Sequence, residues 1–421
     1  MTLLLSHSAG NQNVRAMLDA LQAAGMLGRF ATTVAADDHS LALKLMPGRL
    51  RREWMRRRFD VPRDKILQHP WREIARVACG AAGWHSALRH EQGFASVDAV
   101  IQDFDRFVAR SLPALRTRDG LSAVYAYEDG AVDTFRAART LGLKRIYDLP
   151  IAHWELGRRL MKEEGERLPG WAPTLGGGLL DSPAKLERKT EELALADLVV
   201  VASAFVRDSL PASAAHKACV MSPFGSPPTW TGGWSEAALD PARPMRVLFA
   251  GSMGQRKGLA DLLHAMRLLK GENIELRVMG APLAELDFYQ REYPGFIHEK
   301  GRPHAEVLAL MRSCDVFCLP SIVEGRALVM QEAMSQGLPV VITPNTGGAD
   351  LVVEGRTGFM VPIRSPERIA EKLAWLNQHR PELVAMKAQS ALHAAGYSWQ
   401  RYGETVVDAI RGLGGAVGAR G

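Results

Sequence analysis

Two glutamates, Glu324 and Glu332, stand eight positions apart in the segment Pro320-Ser-Ile-Val-Glu324-Gly-Arg-Ala-Leu-Val-Met-Gln-Glu332-Ala-Met-Ser-Gln-Gly337. If Glu324 lies just ahead of a helix and Glu332 two turns inside it, both carboxylates face one ligand at different depths. A carboxylate accepts hydrogen bonds from paired hydroxyls, so the two suit two polyhydroxyl rings, a sugar and a ribose. The backbone amides of Gly325 to Ala327, at the helix start, are placed to take phosphate oxygens. Upstream, Gly251-Ser-Met-Gly-Gln-Arg-Lys-Gly258 follows an apolar run and opens the next helical stretch. Its glycines let backbone approach a ligand closely, and Arg256 and Lys257 bring positive charge to where a diphosphate would sit. Each feature alone also has a plainer reading: a helix cap, an exposed helical glutamate, a solvated helix start.

The elements that must position these residues alternate between strand and helix. Met245–Ala250, Glu275–Met279, Val316–Leu319, Val340–Thr343 and Gly358–Pro362 read as strands, with helices at Leu259–Leu269, His304–Arg312, Ala327–Gln336 and Pro366–Leu376. That order predicts a doubly wound parallel sheet, which binds ligands at the carboxyl ends of its strands. The first half repeats the rhythm, with strands at Thr2–Ser6, Ala123–Tyr127, Arg145–Asp148 and Leu198–Ser203 and helices such as Val14–Ala24 and Ala131–Leu141. Between the halves, Ser222 to Pro244 is rich in Pro, Gly and Trp and has no sustained period. The expected organisation is therefore one domain over 1–222, a linker over 223–244 and a second domain over 245–396. A terminal helix over 397–412 and a disordered tail over 413–421 complete it.

At 421 residues the chain exceeds what one core usually serves. With 47% apolar and 23% charged residues it has the balance of a soluble globular enzyme, not of a disordered or fibrous chain. Its four cysteines are scattered, which suits a reducing compartment; Cys314 and Cys318 lie four apart, but on a strand with no further ligand nearby, and read as buried apolar residues. Met1 to Leu5 reads as a first strand and not as a secretory leader, and no run approaches the ~20 apolar residues of a membrane span. The expected location is cytoplasmic, with peripheral contact on the inner face of a membrane.

The net charge of +6 is partly concentrated. Between Met46 and Lys65 stand Arg49, Arg51, Arg52, Arg56, Arg57, Arg58, Arg63 and Lys65, interleaved with Leu50, Trp54, Met55 and Phe59. Such a segment suits an anionic membrane surface or an acidic acceptor, against the alternative of a solvated Arg-rich helix. No nucleic-acid-binding motif accompanies it.

The stretch from about Met245 to Trp375 resembles the GT-B retaining glycosyltransferases of family 4, also called group 1. The matching motifs are Gly251 with Arg256-Lys257-Gly258, Cys314-Asp-Val-Phe-Cys-Leu-Pro-Ser321, Glu324 with Glu332, and Gly337-Leu-Pro-Val-Val341. Gly347-Gly348 and Gly355-Arg-Thr-Gly358 continue the series. The resemblance implies two Rossmann-like domains facing across a cleft, with a nucleoside-diphosphate sugar bound in the second. By it, Arg256 and Lys257 neutralise the diphosphate, Glu332 binds the ribose and Glu324 contacts the donor sugar, while Gly251 and Gly325 belong to the donor loops. Lys300-Gly301-Arg302 falls where the family reads the base. Arg326 and Ala327 replace the family's aromatic and glycine, altering phosphate or acceptor contacts.

The first half resembles the family more thinly. Ser6-His7-Ser-Ala-Gly10-Asn11-Gln-Asn13 looks like the acceptor-facing loop, and Glu128, at a strand end, is a further acceptor-side candidate. His153 occupies the place where the family carries a histidine near the reacting centre, although a histidine after a strand is by default structural. The acceptor implied is a glycan, lipid-linked or other hydroxyl compound. In the family the leaving phosphate helps deprotonate it, without protein nucleophile, further cofactor or divalent metal. The competing readings are a nucleotide-sugar epimerase or hydrolase on the same fold, and a non-catalytic nucleotide-sugar or membrane-binding module.

Overall fold

The computed structural model describes residues 1–36, 54–233, 240 and 242–415. Residues 46–53 of the basic segment and 416–421 of the tail lie outside the described residues. Two parallel sheets organise the chain. The first holds β1 (Leu3–Ser6), β2 (Leu27–Thr32), β3 (Ile66–Gln68), β4 (Ala123–Tyr127), β5 (Lys144–Leu149), β6 (Leu198–Val201) and β7 (Ala218–Met221) in the order β3-β2-β1-β4-β5-β6-β7. The second holds β8 (Met245–Ala250), β9 (Ile274–Met279), β10 (Phe296–Glu299), β11 (Val316–Leu319), β12 (Val340–Ile342) and β13 (Gly358–Met360) in the order β10-β9-β8-β11-β12-β13.

Burial on both faces explains why the central strands are continuous apolar runs and not alternating ones. In β1, Leu3 and Leu5 join Tyr125 of β4 in one core, while Leu4 joins Val124 and Ala126 in the core on the opposite face. In both sheets the strand order reverses beside the first strand, between β1 and β4 and between β8 and β11. Crevices open at such switch points, at the carboxyl ends of the strands.

Three strands of the first sheet, β2, β3 and β7, are absent from the sequence reading. β2 is Leu-Gly-Arg-Phe-Ala-Thr, whose Gly28 and Arg29 interrupt the apolar run. β3 has only three residues and β7 is a largely exposed edge strand. The long helix Val97–Asp119 also carries a misleading signal, because Pro113 sits inside it. Gly120, at φ 64°, closes that helix in the left-handed conformation that glycine adopts most readily.

The linker and the terminal helix run side by side. Phe224 is buried against the rings of Trp399 and Tyr402, and Ser222 Oγ donates to the Tyr402 carbonyl at 2.9 Å. The terminal helix spans Trp399–Gly415, three residues past its expected end, so the tail does not begin at 413. It packs against the helix Gln12–Ala23 and adds Tyr402, Val406, Val407 and Ile410 to the first domain's core. The approach is close: a Cβ on Gly403 would lie 2.4 Å from Ala20 Cβ. Gly403→Leu should therefore cost about 1–3 kcal/mol through overpacking, read as a lower urea midpoint. An unchanged midpoint would show that the terminal helix adds nothing to the first domain.

Candidate functional site

β8 ends at Ala250, and Gly251 follows with φ 153°, turning the chain into the short helical turn Gln255–Lys257. Gly258 then adopts φ 75°, and a Cβ there would lie 1.9 Å from the Pro320 carbonyl oxygen. This glycine lets the cation-bearing turn lie directly on the loop after β11. The contact is fixed by the Ile322 amide, which donates to the Arg256 carbonyl at 2.9 Å. Arg256 Nη1 and Lys257 Nζ both reach the same oxygen, Glu324 Oε1, at 2.6 Å. Burial lowers the Lys257 ammonium below its ordinary pKa, with Glu324 acting in the opposite direction.

Glu324 stands ahead of the helix Leu328–Ser335, its amide donating to the Asn345 carbonyl at 3.0 Å. Glu332 lies on that helix, and its Oε1 is 3.1 Å from His304 Nε2 at the start of the helix His304–Arg312. Both glutamates face one interdomain cavity of about 840 Å³. Gly251, Lys257 and Ala327 line it from the second domain, and His7, Asn11 and Glu128 from the first. His304 also lines it and was missed, since a histidine opening an ordinary amphipathic helix carries no sequence signal.

Several expected residues stand elsewhere. Arg326 belongs to the lining loop, but its side chain is wholly buried: Nη1 meets Asp350 Oδ1 at 2.7 Å, Nε meets Gln331 Oε1 at 2.7 Å, and the guanidinium lies 5.0 Å from the Tyr397 ring centre. It lines the cavity as a residue, while its guanidinium is committed to these protein partners. The Ala327 amide is already bonded to the Thr346 carbonyl at 3.2 Å, which removes it from the amides open to phosphate. Arg302 pairs with Glu299 outside the cavity, and a Cβ on Gly10 would run into the Phe59 ring.

His153 is not among the residues lining the cavity. It is 2% exposed, opens the helix Trp154–Arg167, and its carbonyl accepts from the Gly157 amide at 3.1 Å. Neither ring nitrogen has a protein partner. Burial, then Lys189, lowers its pKa to about 4, so the ring is neutral near pH 7. Gly325 is likewise outside the lining, because the first domain sits on it: a Cβ there would lie 1.7 Å from the Pro150 carbonyl oxygen.

On the first domain's wall, His7 crosses the Tyr127 ring edge-on at 4.7 Å, and its Nδ1 is engaged by the Ala9 amide at 2.9 Å. Burial lowers its pKa to about 4. Burial has the opposite effect on Glu128, raising it to about 7 although Lys189 Nζ stands 3.7 Å away. Behind them Asp129 holds a positive φ of 73°. The buried Glu192 fixes that turn by accepting from the amides of Asp129, Ala131 and Val132 at 2.9, 2.9 and 3.2 Å. Among the described residues, the cluster close enough to share a metal is His90, Glu91 and Asp181, and Lys185 Nζ already lies 3.0 Å from Asp181. It lies outside the cavity lining.

Two Rossmann-like sheets facing across such a cleft make this a GT-B protein. The structure matches sucrose-phosphate synthase of Thermosynechococcus elongatus with a TM-score of 0.65 at 15% identity, over 99% of this chain and 100% of that one. It matches the Anabaena protein HepE, solved with UDP and glucose, with a TM-score of 0.62 at 14% identity, over 98% and 100%. Residues 244–379 match the family described as glycosyl transferases group 1, so the chain carries a group 1 glycosyltransferase domain. A D-inositol 3-phosphate glycosyltransferase of Corynebacterium urealyticum is 34% identical over 114 residues, 27% of each chain. The amylovoran biosynthesis glycosyltransferase AmsK of Erwinia amylovora is 26% identical over 155 residues, 34% of this chain and 38% of that one. The matched stretch thus spans well under half the length of these curated relatives.

Glu128 gives a test of the wall. Its folded pKa lies above the ordinary 4.5, so the native state keeps a proton that the unfolded chain has lost. Stability attributable to it therefore falls as pH rises from 4.5 to about 7 and is flat above. Urea denaturation across that range should show a shallower fall in Glu128→Gln than in the wild type. Equal slopes would show that Glu128 is ionised throughout.

Proposed function

We propose that the protein is a retaining glycosyltransferase that moves a sugar from a nucleoside-diphosphate donor to a hydroxyl of a glycan or lipid-linked acceptor. The observation that carries this reading is the convergence of Arg256 and Lys257 on Glu324, with Lys257, Glu324 and Glu332 lining one cavity and Arg256 standing behind Glu324, outside the lining. The donor's diphosphate lies against the two cations, Glu332 accepts from the ribose, and Glu324 turns to the hydroxyls of the sugar. Breaking the bond between sugar and phosphate moves negative charge onto the leaving diphosphate. Fixed cations in a water-poor cleft stabilise that charge more in the transition state than in the ground state.

The acceptor hydroxyl approaches from the wall of His7, Asn11 and Glu128. On this reading the leaving phosphate oxygen takes its proton on the same face of the sugar, which gives retention without a protein nucleophile. The two cations meet the phosphates in place of a divalent ion, and no further cofactor enters. On this reading the role extends to polysaccharide or glycolipid assembly; among the relatives, AmsK is named for amylovoran biosynthesis. With a lipid-linked acceptor it includes contact of the basic segment 46–65 with an anionic membrane surface. No helix of the described residues is long and apolar enough to cross a membrane, so such contact is peripheral on this reading.

Thermal unfolding with a panel of nucleoside diphosphates and their sugars tests donor binding, because a ligand bound only by the native state raises the midpoint. One nucleotide should shift the wild type and not Glu332→Ala. Once an acceptor is found, Lys257→Ala should lower kcat by about 10²–10³-fold, and the product's anomeric coupling in NMR should match the donor's. An inverted product would remove the retaining mechanism, and wild-type turnover by both variants would remove the assignment of these residues.

A further inference from the structure

The helix Trp71–Ala81 is built inside out. Its inward side carries Glu73, buried and bonded to Arg57 and Arg76, and Cys79. Its outward side carries Trp71, Ile74, Val77, Ala78 and Ala81, the spacing of one continuous helical face, and all five are exposed. A helix covering a soluble domain would show the reverse. Beyond the helix Trp84, Phe94 and Val97 are exposed as well, and Trp71 and Trp84 are 72% and 63% exposed. The Arg72 guanidinium bonds the Phe94 carbonyl, which joins the helix to that following loop. Single exposed apolar residues are ordinary, but a whole apolar helical face left exposed, with two tryptophans within fourteen residues, is not.

Charge identifies what covers it. From 46 to 97 the sequence holds eleven Lys and Arg against five Asp and Glu, an excess equal to the net +6 of the whole chain. Part of that charge packs onto the same helix: Arg57 pairs with Glu73 and lies 5.8 Å from the Trp54 ring centre. Arg56, Arg58 and Arg89 are exposed. An exposed apolar helical face that begins with Trp71, with Trp84 exposed just beyond the helix and cations in the same segment, matches the two requirements of an anionic bilayer surface, a shallow apolar layer beneath a negatively charged one. Moreover, the helix begins three residues after the end of β3, at the carboxyl edge of the first sheet, where His7 and Glu128 line the cavity.

We propose that the apolar face of Trp71–Ala81, with Trp84 and Phe94, inserts into the headgroup layer of an anionic phospholipid membrane and sets the first domain on it. This deepens the membrane contact of the function proposed above by naming the surface that makes it. Flotation of the full chain with phosphatidylcholine vesicles, alone or mixed with phosphatidylglycerol, tests it. Wild type should float with the anionic vesicles, and its tryptophan fluorescence should be quenched by acyl-brominated lipid. A Trp71→Ser/Trp84→Ser/Phe94→Ser variant should bind at least about tenfold more weakly, without quenching. Its melting temperature and donor response should remain those of the wild type, since all three side chains are exposed. If wild type and variant float alike, the helix is not the docking surface although membrane contact stands. If wild type floats with neither vesicle, both fall. A dimer that the substitutions disperse, with no flotation, would assign the face to a second copy of the chain and overturn the proposal.

Discussion

At Gly325 the two domains meet with no room for a side chain. The Pro150 carbonyl of the first domain occupies the place of its Cβ, and Ser203 Oγ, at the end of β6, donates to its carbonyl at 2.6 Å. On the other side Gly347, at φ 73°, presses against the same carbonyl so closely that a Cβ there would lie 1.8 Å away. The peptide following Glu324 is thus gripped from both domains, and the position of that carboxylate depends on the domains being together. Any larger residue at 325 would have to part the first domain from the loop, which would move Glu324 relative to His7 and Glu128. The cleft and its central carboxylate are in this sense one construction.

The cation-bearing turn is gripped in the same way from its other side. A Cβ on Gly254 would lie 2.5 Å from the Thr174 carbonyl oxygen, and the Gln255 amide donates to Thr174 Oγ1 at 3.1 Å. The Gln255 side chain bonds Glu164 and Asp261, both at 2.9 Å, and Arg167 bridges the same two carboxylates at 2.8 Å. Glu164 has no exposed side-chain surface and also receives Arg364. Removing one member of such a buried set leaves an uncompensated charge, which costs far more than a surface pair. Segment 152–175 of the first domain therefore orients the turn that carries Arg256 and Lys257. Around it Leu160, Met161 and Leu175 form a small apolar cluster with Ile322 and Val323 of the second domain.

The second domain was legible because its determinants are local. β11 and β12 are unbroken apolar runs and β8 is apolar from Val247 to Ala250, and the glycines and charged residues of the donor loops follow the strand ends where a parallel sheet binds ligands. The first domain was legible only at its central strands. β2 carries a glycine and an arginine, and β3 and β7 lie at the sheet's edges, half-buried and largely exposed, so none of the three leaves a sustained apolar run in the sequence. The same distinction separates the site residues. Glu324 and Glu332 were read from spacing along one loop-helix unit, and Lys257 from the glycine-rich turn that follows β8. The orientation of Arg326 was not, since its partner Asp350 lies 24 positions away and Tyr397 further still. His153 was a site candidate from the family resemblance while its place after a strand read as structural, and it is buried with neither ring nitrogen bonded to protein.

Glu324 sits against two cations, and that pairing bears on how a donor would enter. A carboxylate held at 2.6 Å by both Arg256 and Lys257 is neutralised twice over, while the burial of Lys257 makes its charge costly without a partner. An arriving diphosphate brings more negative charge than the one carboxylate and can take over the same cations. Glu324 is then released toward hydroxyls that no lysine or arginine side chain would bind as acceptors. The cations stay compensated throughout the exchange, and the group set free is an acceptor for hydroxyls. A neutral sugar without its nucleotide would have to pull Glu324 away from both cations and leave them unpaired in a half-buried cleft. On the proposed function, the charge balance of the turn favours a phosphorylated donor over a free sugar before any contact specific to the sugar is made.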